Sequence, residues 1–456
     1  MPINKIPPET LALIATFFES GRPLINATGV CQHWRATLLS SPRPWGRIIR
    51  PTRMMFETCL ERSKSAPLEV ELRSTSLDLL ELLIHHVSRL SSLTLVKGDP
   101  SDFEQLARHL GNPIPTLIEF SIYAVPREDK LTIPSSTRHH HFLHVKRLRL
   151  EQVSSLRAPS VFPHVTELVW IVKSYRSMPP SSLLDTVVEL PALERAEIVF
   201  SGTYEGPPIA PPTRLIALPR MRRMALRCSN GEIPNILELL ELPNLTSLVV
   251  DRVPYTERDS PILPVFFSET LPNFTQLPEM VVRICYRYGN VSFRSPSQAR
   301  LEYHSEPRAL GNALYRDDRQ QWGSLPLDSV RKLVVDLDVR THDLENVWVV
   351  SLVRDLRSLE HLEFRGCCGY MLRYLRRMIM GGVTFPSIKT LTVCSGFKYE
   401  TRQVHRLKDV VDELGLGISI TWVEDRDLPG DERDDLENDG ESEVWEWKSK
   451  TEPAQD

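Results

Sequence analysis

Apolar positions along this chain keep one period near the amino end and another through the rest. Leu11, Ile14 and Phe18 recur at helical spacing, giving one apolar face. Pro7-Pro8-Glu9-Thr10 opens that helix, since proline costs nothing in a first turn and Glu9 suits the positive end of the helix dipole, and Ser20-Gly21 is its expected stop. Ala27, Val30, Cys31, Trp34 and Leu38 then fall at i, i+3, i+4, i+7 and i+11, a second helical stripe ended by Ser40-Ser41-Pro42. Trp45, between Pro44 and Gly46, reads as an anchor that closes the small unit from outside its helices. Short helices of this size bury little apolar area, so the unit gains stability by covering its surplus face, either with a partner or with the chain that follows.

Beyond residue 53 the pattern becomes apolar-x-x-apolar-x-apolar, often introduced by proline or a small polar pair. Ten copies occur: Leu90/Leu93/Leu95, Leu117/Phe120/Ile122, Val145/Leu148/Leu150, Val165/Leu168/Trp170, Leu193/Ala196/Ile198, Met221/Met224/Leu226, Leu245/Leu248/Val250, Val330/Leu333/Val335, Leu359/Leu362/Phe364 and Ile388/Leu391/Val393. From Leu93 to Leu248 the middle residues are 27, 28, 20, 28, 28 and 24 apart, and the last three are 29 apart. These steps resemble the roughly 20–29-residue period of leucine-rich repeats. The stretch from Asp251 to Ser329 is irregular and is expected to hold degenerate repeats, one near Val281/Ile284/Tyr286. Helical patterns lie between several units, at Leu77 to Val87, Phe103 to Leu110, Val347 to Leu356, Tyr370 to Met380 and Arg402 to Leu414. Each strand-helix unit leaves one face uncovered until a neighbour stacks on it, which predicts a curved, parallel-stranded α/β solenoid. A doubly wound α/β sheet is the competing fold, although the chain lacks a Gly-rich phosphate loop.

Composition narrows the class. With 41% hydrophobic and 25% charged residues the chain has the profile of a globular protein. It lacks a signal-peptide pattern and a run of apolar residues long enough to span a membrane, which predicts a cytoplasmic or nuclear address and no membrane partner. Seven cysteines without a Cys-x-x-Cys pair predict a reducing compartment. The net charge of -4 is uneven: Glu424 to Asp456 carries 14 acidic and 4 basic side chains, which predicts an extended, disordered tail in which Trp445 and Trp447 stand out. The mild basic excess left to residues 1–423 is spread too thinly for a nucleic-acid-binding stripe.

Together, Ile6-Pro7-Pro8-Glu9, the Leu11/Ile14/Phe17-Phe18 face, Leu24-Ile25-Asn26-Ala27, Val30-Cys31-x-x-Trp34 and Pro42-x-x-Trp45 resemble the F-box, and most closely the expanded F-box families of mushroom-forming fungi. Ile6 stands where leucine is usual, and Pro44 where an apolar residue commonly precedes the tryptophan. The resemblance implies an F-box-like helical module over residues 1–53, a leucine-rich-repeat-like solenoid over 54–423 and the acidic tail over 424–456. It also implies a substrate-recognition subunit of a ubiquitin ligase: the module docks to a Skp-family adaptor, and through it to a cullin scaffold, while the repeats hold an unknown target protein. Pro7, Pro8, Leu11, Ile14, Phe18, Leu24, Ile25, Val30 and Leu38 would contact the adaptor, and Trp34 and Trp45 would hold the module together. The alternative is a repeat scaffold with no ligase association.

Residues flanking the middle apolar position of a strand point to the opposite face, here the concave one. That face includes Arg147, Arg149, Arg195, Arg223 and Arg227, whose forks suit an acidic or phosphorylated target segment. His139-His140-His141 and His144 lack the nearby cysteine or carboxylate that would complete a closed metal site, so no metal is assigned. Gly-x-Ser-x-Gly, His-Glu-x-x-His and Walker-type patterns are all missing, so no catalytic residue and no cofactor are expected.

Overall fold

The computed structural model describes residues 6–18, 21–73, 79–98, 114–124, 142–153, 162–172, 186–200, 216–228, 237, 239–252, 279–284, 289–294, 300–305, 327–337, 352–353, 356–366, 368–383, 385, 387–395 and 398–424. It is a mixed α/β structure built on one sixteen-stranded, mainly parallel sheet.

The amino end forms α1 (Pro8–Thr16), α2 (Gly21–Ala27) and α3 (Gln32–Ser40), then a 3-10 turn at Arg43–Gly46. Two sequence expectations change here. Gly21 starts a helix instead of ending one, and the stripe from Ala27 to Leu38 is not one helix. Thr28, Gly29 and Val30 turn the chain back on the carbonyls of α2, and Cys31 is extended (φ -160, ψ 170), so the apolar period survives across a break that separates two helices. The chain continues directly into the sheet. Strand β1 (Arg47–Ile49) pairs parallel with β2 (Leu68–Arg73), and between them α4 (Arg53–Arg62) packs against α2 and the 3-10 turn.

After α5 (Leu79–Ile84) come β3 (Leu90–Gly98), β4 (Glu119–Ala124), β5 (Arg147–Glu151), β6 (Glu167–Val172) and β7 (Arg195–Phe200). The short strand β8 (Ile216–Ala217) precedes β9 (Arg223–Cys228), and β10 (Leu240–Glu241), which pairs only with β8, precedes β11 (Ser247–Arg252). From β1 to β11 the main-sheet strands lie side by side in chain order and all parallel. The two-residue period then fixes two inward rows. One runs Val70, Leu93, Phe120, Leu148, Leu168, Ala196, Met224 and Leu248; the other runs Leu72, Leu95, Ile122, Leu150, Trp170, Ile198, Leu226 and Val250. Every one of these side chains is buried.

The turns before the strands repeat as closely as the strands. In Ile114–Leu117, Phe142–Val145, Phe162–Val165, Leu190–Leu193, Leu218–Met221, Leu242–Leu245, Leu327–Val330, Leu356–Leu359 and Phe385–Ile388, the fourth amide donates to the first carbonyl at 3.1–3.3 Å. Six of these nine turns have proline in second place, where its fixed φ suits a β-turn. Both ends of most of these turns reach the core, and Phe142 and Phe162 stack there on Phe120 and lie tilted against each other.

The irregular stretch is where the topology departs from simple stacking. Strands β12 (Glu279–Ile284), β13 (Gly289–Arg294) and β14 (Arg300–Ser305) enter in reversed order, β11-β14-β13-β12-β15, with β13 antiparallel to both neighbours. In this register Met280, Val282 and Ile284 align with Leu333, Val335 and Leu337, so Ile284, expected as the middle residue of a repeat, lies four residues beyond the position that Leu333 holds in the neighbouring strand, and Tyr286 lies outside the described residues. The parallel pattern resumes with β15 (Lys332–Leu337), β16 (His361–Gly366), α6 (Gly369–Met380), β17 (Thr390–Ser395), α7 (Lys398–Glu413) and β18 (Ser419–Glu424). Of the expected inter-strand helices, Phe103 to Leu110 lies outside the described residues, and α5, α6 and α7 occupy three of the others. Among the described residues no helix is long and apolar enough to cross a membrane.

Candidate functional site

Two surfaces carry the sequence-predicted residues. The first is the amino-terminal helical unit. Leu11 and Ala15, one turn apart on α1, face inward with Leu24, Ala27, Leu38 and Trp45. Trp45 Nε1 donates to the Leu38 carbonyl oxygen at 2.8 Å, and the Arg62 guanidinium lies 4.5 Å from the centre of its ring. Gly46 follows at a point where a Cβ would overlap the Pro67 carbonyl oxygen, so the unit is held tightly against the first strands. Beneath it, burial pushes the Cys59 thiol up to about 11, which leaves it a neutral apolar packing group.

The outward side is unusually apolar. Phe17 is 73% exposed, Leu13 60%, Val30 53%, Ile25 40%, Leu39 39% and Ile14 38%. These six are half of the twelve large hydrophobic residues that stand exposed among the described residues, yet they fall within residues 13–39. Leu13, Ile14 and Phe17 share one side of α1 by their spacing, and Pro7 and Pro8 at its start are exposed as well. The expected docking set therefore divides. Pro7, Pro8, Ile14, Ile25 and Val30 are exposed, and Phe18 is half-buried against the core. Leu11, Leu24 and Leu38 are covered by this same chain and serve as core, because α1, α2 and α3 each carry apolar residues on two sides and one side of each is used to assemble the unit. Trp34 is half-buried. Leu13, Phe17 and Leu39 are the exposed residues that a single-stripe reading of the sequence passes over.

The second surface is the outward face of the sheet. Strand pairing places Arg47, Glu69, Ser92, Glu119, Arg147, Glu167, Arg195 and Arg223 in one row across β1 to β9. Arg147 reaches Glu119 at 3.6 Å and Glu167 at 3.8 Å, Arg195 reaches Glu167 at 2.7 Å, and Arg47 reaches Glu69 at 4.0 Å. Arg149, one row along, reaches Glu151 at 3.8 Å and lies 5.5 Å from the Tyr123 ring centre. Arg227 lies between Val199 and Asp251 in the pairing, and Arg223 is exposed. The expected bank of cations is thus largely an alternating charge ladder. Pairs this exposed each contribute roughly 0–1 kcal/mol, so the ladder shapes the surface potential more than it holds the fold. A cavity of about 370 Å³ opens on this face between β1 and β5.

Elsewhere, Glu400 on α7 is buried, and its Oε1 accepts the Gly369 amide at 2.9 Å at the start of α6. Burial pushes its carboxyl up to about 7, against the opposing pull of the Gly369 and Cys368 amides. Among the described residues no three of His, Cys, Asp and Glu are grouped to hold a metal ion; His139-His140-His141 and Trp445 and Trp447 lie outside them. A scan against models of known protein families matches none, and a search of curated proteins finds no significant relative.

Proposed function

We propose that this chain is the substrate-recognition subunit of a cullin–RING ubiquitin ligase, with an F-box that docks to a Skp-family adaptor and a leucine-rich-repeat solenoid that presents a target protein. One observation carries the reading. The first forty residues complete their own core with Leu11, Leu24 and Leu38 and still expose Leu13, Ile14, Phe17, Ile25, Val30 and Leu39. Fully burying a single leucine or phenylalanine stabilises by about 1.5–3 kcal/mol, so a partner that covers several of these side chains gains enough to bind. Sequence order supports the identity of that partner, through the Pro7-Pro8 start, the Val30-Cys31-x-x-Trp34 stretch and Trp45. The parallel pairing of strands spaced 20 to 29 residues apart supports the solenoid reading.

On this reading catalysis belongs to the partners, and the chain supplies affinity and position. Co-expression of the full chain with the adaptor tests it. A stoichiometric complex is expected to survive purification and to be lost in the Ile14→Asp, Phe17→Asp double variant, whose melting temperature should stay near that of the wild type because both side chains are exposed. Leu11→Asp is the contrasting control, and should unfold the unit. A complex that persists in the exposed-face double variant overturns the proposal, and failure of the wild-type chain to form one favours the scaffold alternative.

A further inference from the structure

From β1 to β7 the charge ladder on the outward sheet face has one interruption. Reading across β1 to β7, the row runs Arg47, Glu69, Ser92, Glu119, Arg147, Glu167, Arg195, so that a neutral serine stands where alternation calls for a cation. The ion pairs show the consequence. Glu167 is served from both sides, by Arg147 at 3.8 Å and Arg195 at 2.7 Å. Among the described residues, Glu69 is reached only from the β1 side, by Arg47 at 4.0 Å, and Glu119 only from the β5 side, by Arg147 at 3.6 Å. The open sides of these two carboxylates face each other across Ser92. The cavity of about 370 Å³ lies at the same place; Glu69, Glu71 and Glu119 line it together with Ser92, Thr94 and the two arginines Arg47 and Arg147.

We infer that this gap is a docking point for one lysine or arginine side chain of a bound protein. Neighbouring strands lie about 4.8 Å apart, so Glu69 and Glu119 flank the gap at roughly 10 Å, and a cation above Ser92 falls within reach of both. It would extend the alternation that Arg147 already makes between Glu119 and Glu167, and the small Ser92 and Thr94 side chains leave room for it. Around the cavity the three carboxylates of Glu69, Glu71 and Glu119 outnumber the guanidiniums of Arg47 and Arg147, so a cation is favoured there over an acidic side chain. The inference rests on the sheet being the target-binding part of the chain, but not on adaptor docking, which uses residues 7–39.

The test uses the full chain and a fluorescent short peptide of alternating lysine and serine, with a glutamate–serine peptide as the opposite-charge control. The wild type should prefer the basic peptide, with affinity that falls as salt rises. Ser92→Lys places a cation in the gap from the chain itself and should weaken that binding by about ten-fold, the loss expected when two partly exposed ion pairs are pre-empted. Glu119→Gln, which removes one wall, should weaken it too. Both variants should keep the wild-type melting temperature within a few degrees and should form the adaptor complex as the wild type does. Equal binding of the two peptides, or unchanged binding in Ser92→Lys, overturns this inference and leaves the adaptor reading untouched. Loss of the adaptor complex with the peptide preference retained does the reverse.

Discussion

Replacing Glu400 by glutamine should make the protein more stable at pH 8 and less sensitive to pH. Its Oε1 accepts the Gly369 amide at 2.9 Å, but among the described residues its Oε2 is buried without a hydrogen-bond partner, as is Oε1 of Gln403 one turn further along α7. Burial therefore disfavours the charged form and pushes the carboxyl from an ordinary 4.5 up to about 7. Below pH 4.5 the group is neutral folded or unfolded and costs nothing. As pH rises, the unfolded chain releases the proton first, and stability falls until the folded carboxyl has also ionised near pH 7. A difference of this size corresponds to about 3 kcal/mol lost between pH 4.5 and 8. Glutamine keeps an acceptor for Gly369 without carrying a charge. Urea titrations of both proteins at several pH values read the effect: the stability difference in favour of Glu400→Gln should be small at pH 4.5 and grow to a few kcal/mol at pH 8. Parallel curves for the two proteins would refute the argument, since every other titrating group is common to both.

Two further predictions concern how the helical unit is locked to the sheet. Trp45→Phe removes the 2.8 Å bond to the Leu38 carbonyl and should cost about 1–3 kcal/mol in denaturant unfolding, because the orphaned carbonyl stays buried. Gly46→Ala drives a methyl group into the Pro67 carbonyl and should lower stability by about 1–3 kcal/mol, whereas Gly382→Ala, where a Cβ meets no neighbouring atom, suffers only the strain of its positive φ of 83°.

What could be read from the sequence was set by period, and what could not was set by pairing. All ten strand markers lie in strands of the main sheet, and those of adjacent strands pair with one another, because a two-residue alternation declares its inward positions without reference to neighbours. The same alternation is blind to strand direction and pairing, so the antiparallel β13 and the reversed order of β12 to β14 were not legible, and the repeat read at Ile284 sits four residues beyond the position that pairing aligns with Leu333. Helices with apolar residues on two sides posed a similar ambiguity: spacing groups Leu11 with Ile14, but only packing shows that Leu11 turns in and Ile14 out. The charge ladder joins residues about 20 to 28 positions apart, and its pairs appear only once the strand register is known.

Hydrogen–deuterium exchange of the full chain, alone and with the Skp-family adaptor, addresses the central proposal most directly. Adaptor binding should slow exchange across residues 8–40, where Leu13, Ile14, Phe17, Ile25, Val30 and Leu39 stand exposed in the free chain, and leave β3 to β11 unchanged. Slowing confined to the sheet, with α1 to α3 exchanging as before, would contradict it.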